Sequence, residues 1–175
     1  VYKEKLRLRA YGTPTDSSPV FLEIKKKYDG VVYKRRVSTD FAQAMRFLTE
    51  GIPPESGDYV ARQVTAEMTH MIRRDGLIPR AAVFYDRRAF HGADDPELRL
   101  TLDGNIRYRL GDLDLRNGTD GDTIPGQPFR IMEIKSASSI PLWLAGTLSE
   151  LGIHPGSFSK YGSVYKQRFQ DLCTT

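Results

Sequence analysis

Lysine and arginine recur at every second position in several short stretches, and in a β-strand that spacing gathers side chains on one face. In KEKLRLRAYG, from residue 3, Lys3, Lys5, Arg7 and Arg9 share a face, while Leu6 and Leu8 take the other. In VFLEIKKKYDGVVYKRRV, from residue 20, Asp29-Gly30 is a strong two-residue hairpin turn. Pairing outward from that turn sets Lys27 against Val32, Lys25 against Lys34 and Glu23 against Arg36, all on one face. Like charges directly opposite on a sheet cost stability, so Lys25 across from Lys34 requires splayed side chains or a bound anion. A phosphate chain is the natural anion. Arginine's fork grips phosphate bidentately, lysine supplies point charge, and a few carboxylates could hold a divalent cation that bridges phosphate oxygens.

The elements that must position these groups are legible from period and punctuation. Leu22, Ile24, Val31, Tyr33 and Val37 form the apolar face of the hairpin. PRAAVFYDRRAF reads as a further strand. ELRLTLDGNIRYRL places Glu97, Arg99, Thr101 and Asp103 opposite Leu98, Leu100 and Leu102, and FRIMEIKS places Glu133 and Lys135 opposite Met132 and Ile134. Between the strands, STDFAQAMRFLTEG opens on N-capping types at Ser38 to Asp40 and closes near Gly51. SGDYVARQVTAEMTHMIRRDG ends on Arg73 and Arg74 before Gly76, where the helix dipole favours cations. SSIPLWLAGTLSELGI has Pro141 placed for a first helical turn, with Leu142, Trp143, Leu148 and Leu151 as packing residues, and a short helix is expected around residues 164–172. RNGTDGDTIPGQP reads as a turn-rich loop, and EGIPPESGD as a link between helices.

The helices need apolar partners and the apolar strand faces supply them, so the charged faces are expected to turn away from the helices. An open sheet would leave those faces solvated; a closed one would make them line a lumen. Alternation alone is compatible with either.

Composition sets the remaining bounds. A chain of 175 residues with 39% hydrophobic content is suited to one domain with its own core. No apolar run is long enough to cross a bilayer and no secretory signal opens the chain, so the expected location is cytoplasmic. The single cysteine, Cys173, excludes an internal disulfide and a thiolate metal cluster. The net charge of +4 favours an anionic partner, but position matters more than total.

Taken in order, KLRLRAYG, VFLEIKKKYDGVVYKRRV, VFYDRRAF, LRLTLD, IMEIKS with PLWL, and FSKY resemble a VTC domain. This is the polyphosphate polymerase domain within the triphosphate tunnel metalloenzyme (CYTH-like) superfamily. The resemblance covers nearly the whole chain and implies an α+β fold: a closed antiparallel barrel of about eight strands, with amphipathic helices outside, spanning 1–175 as a single domain. Members of the superfamily usually begin with a strand bearing glutamates and a lysine, whose counterpart would precede Val1. The resemblance also implies a metal-dependent transfer of the terminal phosphate of a nucleoside triphosphate, such as ATP, onto inorganic polyphosphate, with Mn²⁺ or Mg²⁺ as cofactor.

Carried over by motif, Arg7 and Arg9 look like phosphate clamps, joined by Lys25, Lys34 and Arg36 from the hairpin, Arg87 or Arg88 from YDRRAF, and Arg99. Glu133 looks like the metal carboxylate, with Glu23 as a second candidate. Lys135, Lys160 and the adjacent Ser159 look like phosphate-binding residues. The bland counterpart for both glutamates is a salt bridge to a neighbouring cation. For Lys26, Lys27 and Arg35 a solvated edge is expected.

Other chemistries lack support. His70, His91 and His154 show no ligand spacing and are expected to be structural or exposed. The acidic loop GDLDLRNGTDGDT lacks the glycine and glutamate offsets of a calcium loop, and neither a P-loop nor a dinucleotide fingerprint occurs. Asn117-Gly118-Thr119 fits a glycosylation acceptor but carries little weight in a chain without secretory features. No stacking aromatics interleave with the cations of the basic faces, so nucleic acid is not an expected partner. Two classes remain: a polyphosphate polymerase or related tripolyphosphatase, and a module that binds polyphosphate or inositol polyphosphate without turnover.

Overall fold

The computed structural model describes residues 2–124 and 130–173, with side chains as far as residue 167. Part of the IPGQP stretch and the side chain of Cys173 therefore lie outside the described residues. Two compact units result: residues 1–80 with 114–118, and residues 81–113 with 119–175.

The first unit is a three-stranded antiparallel sheet carrying two helices: β1 (Lys3–Arg9), β2 (Pro19–Tyr28), β3 (Val31–Asp40), α1 (Phe41–Glu50) and α2 (Tyr59–Asp75), in strand order β1-β2-β3. The hairpin has the expected register, with Lys27 opposite Val32, Lys25 opposite Lys34 and Glu23 opposite Arg36. Its turn works because Asp29 and Gly30 both take positive φ, 44° and 80°, as a primed two-residue turn demands. Both helices start where capping chemistry places them. Asp40 accepts from Gln43 N–H at the head of α1, and Asp58 accepts from Val60 and Ala61 N–H at the head of α2. Leu22, Ile24 and Val37 from the sheet close on Phe41, Phe47, Val64, Met68 and Met71 from the helices.

Lys26 and Arg35 do not form a solvated edge. They belong to the face that meets α2, where Lys26 Nζ lies 2.6 Å from Glu67 and 3.1 Å from Glu4, and Arg35 pairs with Glu67 at 3.0 Å. Arg74 of α2 also pairs with Glu4. Glu4 accepts a hydrogen bond from Tyr2, and this bond, helped by Arg74 and Lys26, outweighs partial burial and holds its carboxyl down at about 2. A depressed carboxylate pKa stabilises the fold above the unfolded value and loses that contribution as pH falls towards the folded one. Acid unfolding should therefore show a component between pH 4.5 and about 2 that Glu4→Gln removes, measured as melting temperature against pH.

The second unit comprises β4 (Ala82–His91), β5 (Arg99–Arg109), β6 (Asp122–Thr123), β7 (Ile131–Lys135), α3 (Leu142–Glu150) and α4 (Lys160–Cys173). Strand β5 is central: β4 lies on one side, and β6 and β7 pair with successive parts of the other. The turn-rich segment thus contains β6, together with a single 3-10 turn at Leu115–Asn117.

The expected closed barrel is not formed. Among the described residues there are seven strands in two separate sheets, and no strand of one pairs with a strand of the other. In the first, β1 and β3 are edges. A barrel needs a ladder joining its first and last strands, whereas side-chain alternation is set within each strand and is the same on an open sheet.

Two further expectations change in the second unit. Strict alternation along β5 breaks at Asn105, whose φ is 49°, and the register shifts there: Phe84 pairs with Arg107 but Asp86 pairs with Gly104. This bulge puts one extra residue on β5 and reverses its parity. Ile106 and Tyr108 consequently share a face with Asp103, and α4 packs Val164 against them. A helix therefore covers part of a face that alternation assigned to charge. In α3, Leu144 is buried, but Leu142, Trp143 and Leu151 are 90%, 65% and 67% exposed instead of packed. Pro141 stands just outside α3, at the N-cap position, and makes no side-chain capping bond. Among the described residues, no helix is long and apolar enough to cross a membrane.

Candidate functional site

Each unit presents a basic face. On the first, the paired registers of β1-β2 and β2-β3 set Lys5, Lys25 and Lys34 abreast, and beside them Arg7, Glu23 and Arg36. Neighbouring strands are about 4.8 Å apart, so three ammonium groups span roughly 10 Å of sheet. Such a row concentrates positive potential for an anion that can neutralise it.

Glu23 is the exception within that face, and it is buried, with 3% of its surface exposed. Its Oε2 accepts from Arg7 Nε at 2.8 Å and from Arg7 Nη2, with Arg9 Nη2 at 3.5 Å. Lys34 Nζ stands 3.9 Å from Oε1, which has no hydrogen-bond donor among the described residues. Three cations thus converge on one carboxylate. Arg36 Cζ lies over the Phe21 ring, 5.0 Å from its centre.

On the second unit, the rows are His91, Arg99 and Lys135; Ala89, Thr101 and Glu133; Arg87, Asp103 and Ile131. Arg87, and not Arg88, shares the face of Asp103; Arg88 pairs with Leu102 on the opposite side. Arg87 donates to Asp103 through Nε at 2.6 Å and Nη2 at 2.8 Å, and Lys160 Nζ donates to Asp103 Oδ2 at 2.6 Å. Burial alone would raise the Asp103 pKa, but hydrogen bonds from Arg87 and Lys160 overcome it and hold the carboxyl below its ordinary value. The same bond raises the pKa of Arg87. Tyr85 lies beneath both cations, with Lys160 Nζ 4.4 Å and Arg87 Cζ 5.3 Å from its ring centre.

Glu133 is half-exposed, and Lys135 Nζ approaches its Oε1 at 3.2 Å. Across from it in register, the buried Thr101 hydroxyl has no hydrogen-bond partner among the described residues. Ser159 caps the head of α4: its Oγ accepts from Gly162 N–H at 3.1 Å. The three histidines are exposed.

The candidate cations therefore separate by unit, with Arg7, Arg9, Lys25, Lys34 and Arg36 on the first and Arg87, Arg99, Lys135 and Lys160 on the second. A family model, the VTC domain, matches residues 1–169. The chain belongs to the VTC domain family. No curated protein matches the sequence. VTC domains are associated with polyphosphate polymerase activity, so the function of this VTC domain is polyphosphate-related.

Sequence reasoning missed Asp103 and Tyr85. Asp103 was visible as a face residue of β5, but its partners come from β4 and from α4, 57 positions away. Only the β4-β5 register, with Arg87 opposite Asp103, could have pointed to it.

A divalent cation is tested by the donor set. Among the described residues no three carboxylate, histidine or cysteine side chains gather to hold a metal. Mg²⁺ and Mn²⁺ need not have such a cage, since one or two carboxylates suffice when phosphate oxygens and water complete the shell. Glu133 fits that role, half-exposed and opposite an unpartnered hydroxyl. Glu23 does not fit it, because three cations already surround its carboxylate.

Proposed function

We propose that this VTC domain is a polyphosphate polymerase that transfers the terminal phosphoryl group of a nucleoside triphosphate, ATP being the natural donor to test, onto a polyphosphate chain. The observation that carries the reading is the row of Lys5, Lys25 and Lys34 beside Arg7 and Arg36, an array suited to a repeating polyanion. Cations at successive positions along the strands match a ligand whose charge recurs along its length.

The chemistry asks little more of the protein than position and charge. A terminal oxygen of the chain forms a bond to the γ-phosphorus as the bond to the β-phosphate bridging oxygen breaks, and the diphosphate leaves with that electron pair. No side-chain nucleophile takes part. Each unit offers its own donors for phosphate oxygens and for the charge they carry in the transition state: Arg7, Arg9, Lys25, Lys34 and Arg36 in the first, Arg87, Arg99, Lys135 and Lys160 in the second. Glu133 would hold a divalent cation, whose chemistry would be charge neutralisation of phosphate.

Purified protein given ATP and Mn²⁺ is expected to form polyphosphate and release ADP in proportion to the phosphoryl groups incorporated. Release of orthophosphate alone from tripolyphosphate would assign a hydrolase instead. Inactivity in both assays with Mn²⁺ and Mg²⁺, accompanied by tripolyphosphate binding, would assign a binding module.

A further inference from the structure

Both units contain the same arrangement. An arginine on one strand faces a carboxylate on its antiparallel neighbour, 16 positions on: Arg7 opposite Glu23, and Arg87 opposite Asp103. Both carboxylates are almost fully buried, at 3% and 2% exposure, while the arginines they hold remain 41% and 32% exposed. Each carboxylate also has a lysine from a third element, Lys34 of β3 near Glu23 and Lys160 of α4 on Asp103.

A buried anion on a face otherwise rich in cations opposes polyphosphate binding on charge alone. Its value must come from geometry. Free lysine and arginine side chains have high rotamer entropy, and ordering them at the moment of binding weakens the complex. A carboxylate that already fixes the guanidinium plane and the ammonium position removes much of that cost.

We propose that Asp103 and Glu23 are positioning residues: each pre-orients the cations of its own unit for phosphate, Asp103 acting through Arg87 and Lys160 and Glu23 through Arg7, Arg9 and Lys34. The proposal rests on the polyphosphate reading for its ligand, but its test does not depend on turnover.

The sign of the effect separates positioning from simple charge. Asp103→Asn and Glu23→Gln each remove one negative charge beside a polyanion site, so electrostatics alone predicts tighter tripolyphosphate binding. Positioning predicts weaker binding, by about tenfold or more. Affinity for tripolyphosphate is measured calorimetrically on the full chain, with thermal unfolding recorded alongside. For Asp103, the loss should disappear when the substitution is repeated in a chain already carrying Arg87→Met and Lys160→Met, since nothing then remains to be oriented. Should Asp103→Asn fail to fold, Glu23→Gln in the other unit gives the same reading, against a background of Arg7→Met, Arg9→Met and Lys34→Met. Affinity that is unchanged or increased in a folded variant overturns the proposal, as does a loss of equal size in the substituted background. A wild-type chain that binds tripolyphosphate but makes no polyphosphate defeats the polymerase reading and leaves positioning standing; one that does not bind tripolyphosphate defeats both.

Discussion

Glu133→Gln is expected to lower polyphosphate formation by roughly a hundredfold or more while leaving the melting temperature almost unchanged. The two halves of that expectation come from different observations. Glu133 sits on β7, half-exposed, with Lys135 as its ion-pair partner, and exposed pairs contribute little to stability. Replacing its carboxylate by an amide of the same shape should therefore shift stability by no more than about 0.5 kcal/mol. Activity is different, because an amide loses the negative charge that a hard divalent cation requires. The measurement is the initial rate of polyphosphate formation over a Mn²⁺ titration, compared with Lys135→Gln. If Glu133 holds the cation, its variant should lose rate and saturate at higher Mn²⁺, whereas Lys135→Gln should keep the wild-type metal dependence. A Glu133→Gln rate within about threefold of wild type at limiting Mn²⁺ would remove the metal role, since loss of a ligand costs more than that.

Local chemistry made the first unit readable almost residue by residue. Asp29-Gly30 tolerates the positive φ of its turn, and once the turn is fixed every cross-strand pair follows, including Lys25 with Lys34 and Glu23 with Arg36. Asp40, within the capping stretch Ser38 to Asp40, marked the start of α1 for the same kind of reason, a side-chain oxygen meeting an unpaired backbone N–H. Signals of this kind are contained within a few residues. Closure is not such a signal. Leu6 and Leu8 alternate with Arg7 and Arg9 whether β1 is an edge or an inner strand, and β1 is an edge.

The site was legible for the same residues and obscure for others. Arg7, Lys25 and Arg36 share a face because period two requires it. Asp103 took its meaning from Lys160, a contact made by tertiary packing of α4, which no local pattern contains. The exposed Leu142, Trp143 and Leu151 show the converse: apolar residues in a helix announce a need for burial without saying where it is met.

The bulge at Asn105 is expected to tolerate removal but not straightening. Asn105 supplies the extra residue on β5 that lets Asp103 and the even-numbered Ile106 and Tyr108 occupy one face. Deleting Asn105 leaves Ile106 two places after Asp103, so unbroken alternation keeps Ile106 and Tyr108 on that face. Extending Asn105 with the chain length unchanged would instead move Ile106 and Tyr108 to the face of Phe84 and Asp86 and bring Arg107 and Arg109 round beneath α4. Removing Ile106 and Tyr108 from the cluster they form with Val164 costs about 2 kcal/mol for each side chain. Placing arginines against Val164 adds a desolvation cost. These costs oppose straightening, so Asn105→Val should keep the register and force a β-branched residue into a left-handed conformation, with an expected loss of about 1–2 kcal/mol. Asn105→Gly, which tolerates the positive φ, and the deletion variant should both keep hydrogen-exchange protection along β5 and α4. Loss of that protection on deletion, with Asn105→Gly protected, would mean that the bulge does more than set which residues share the face of Asp103.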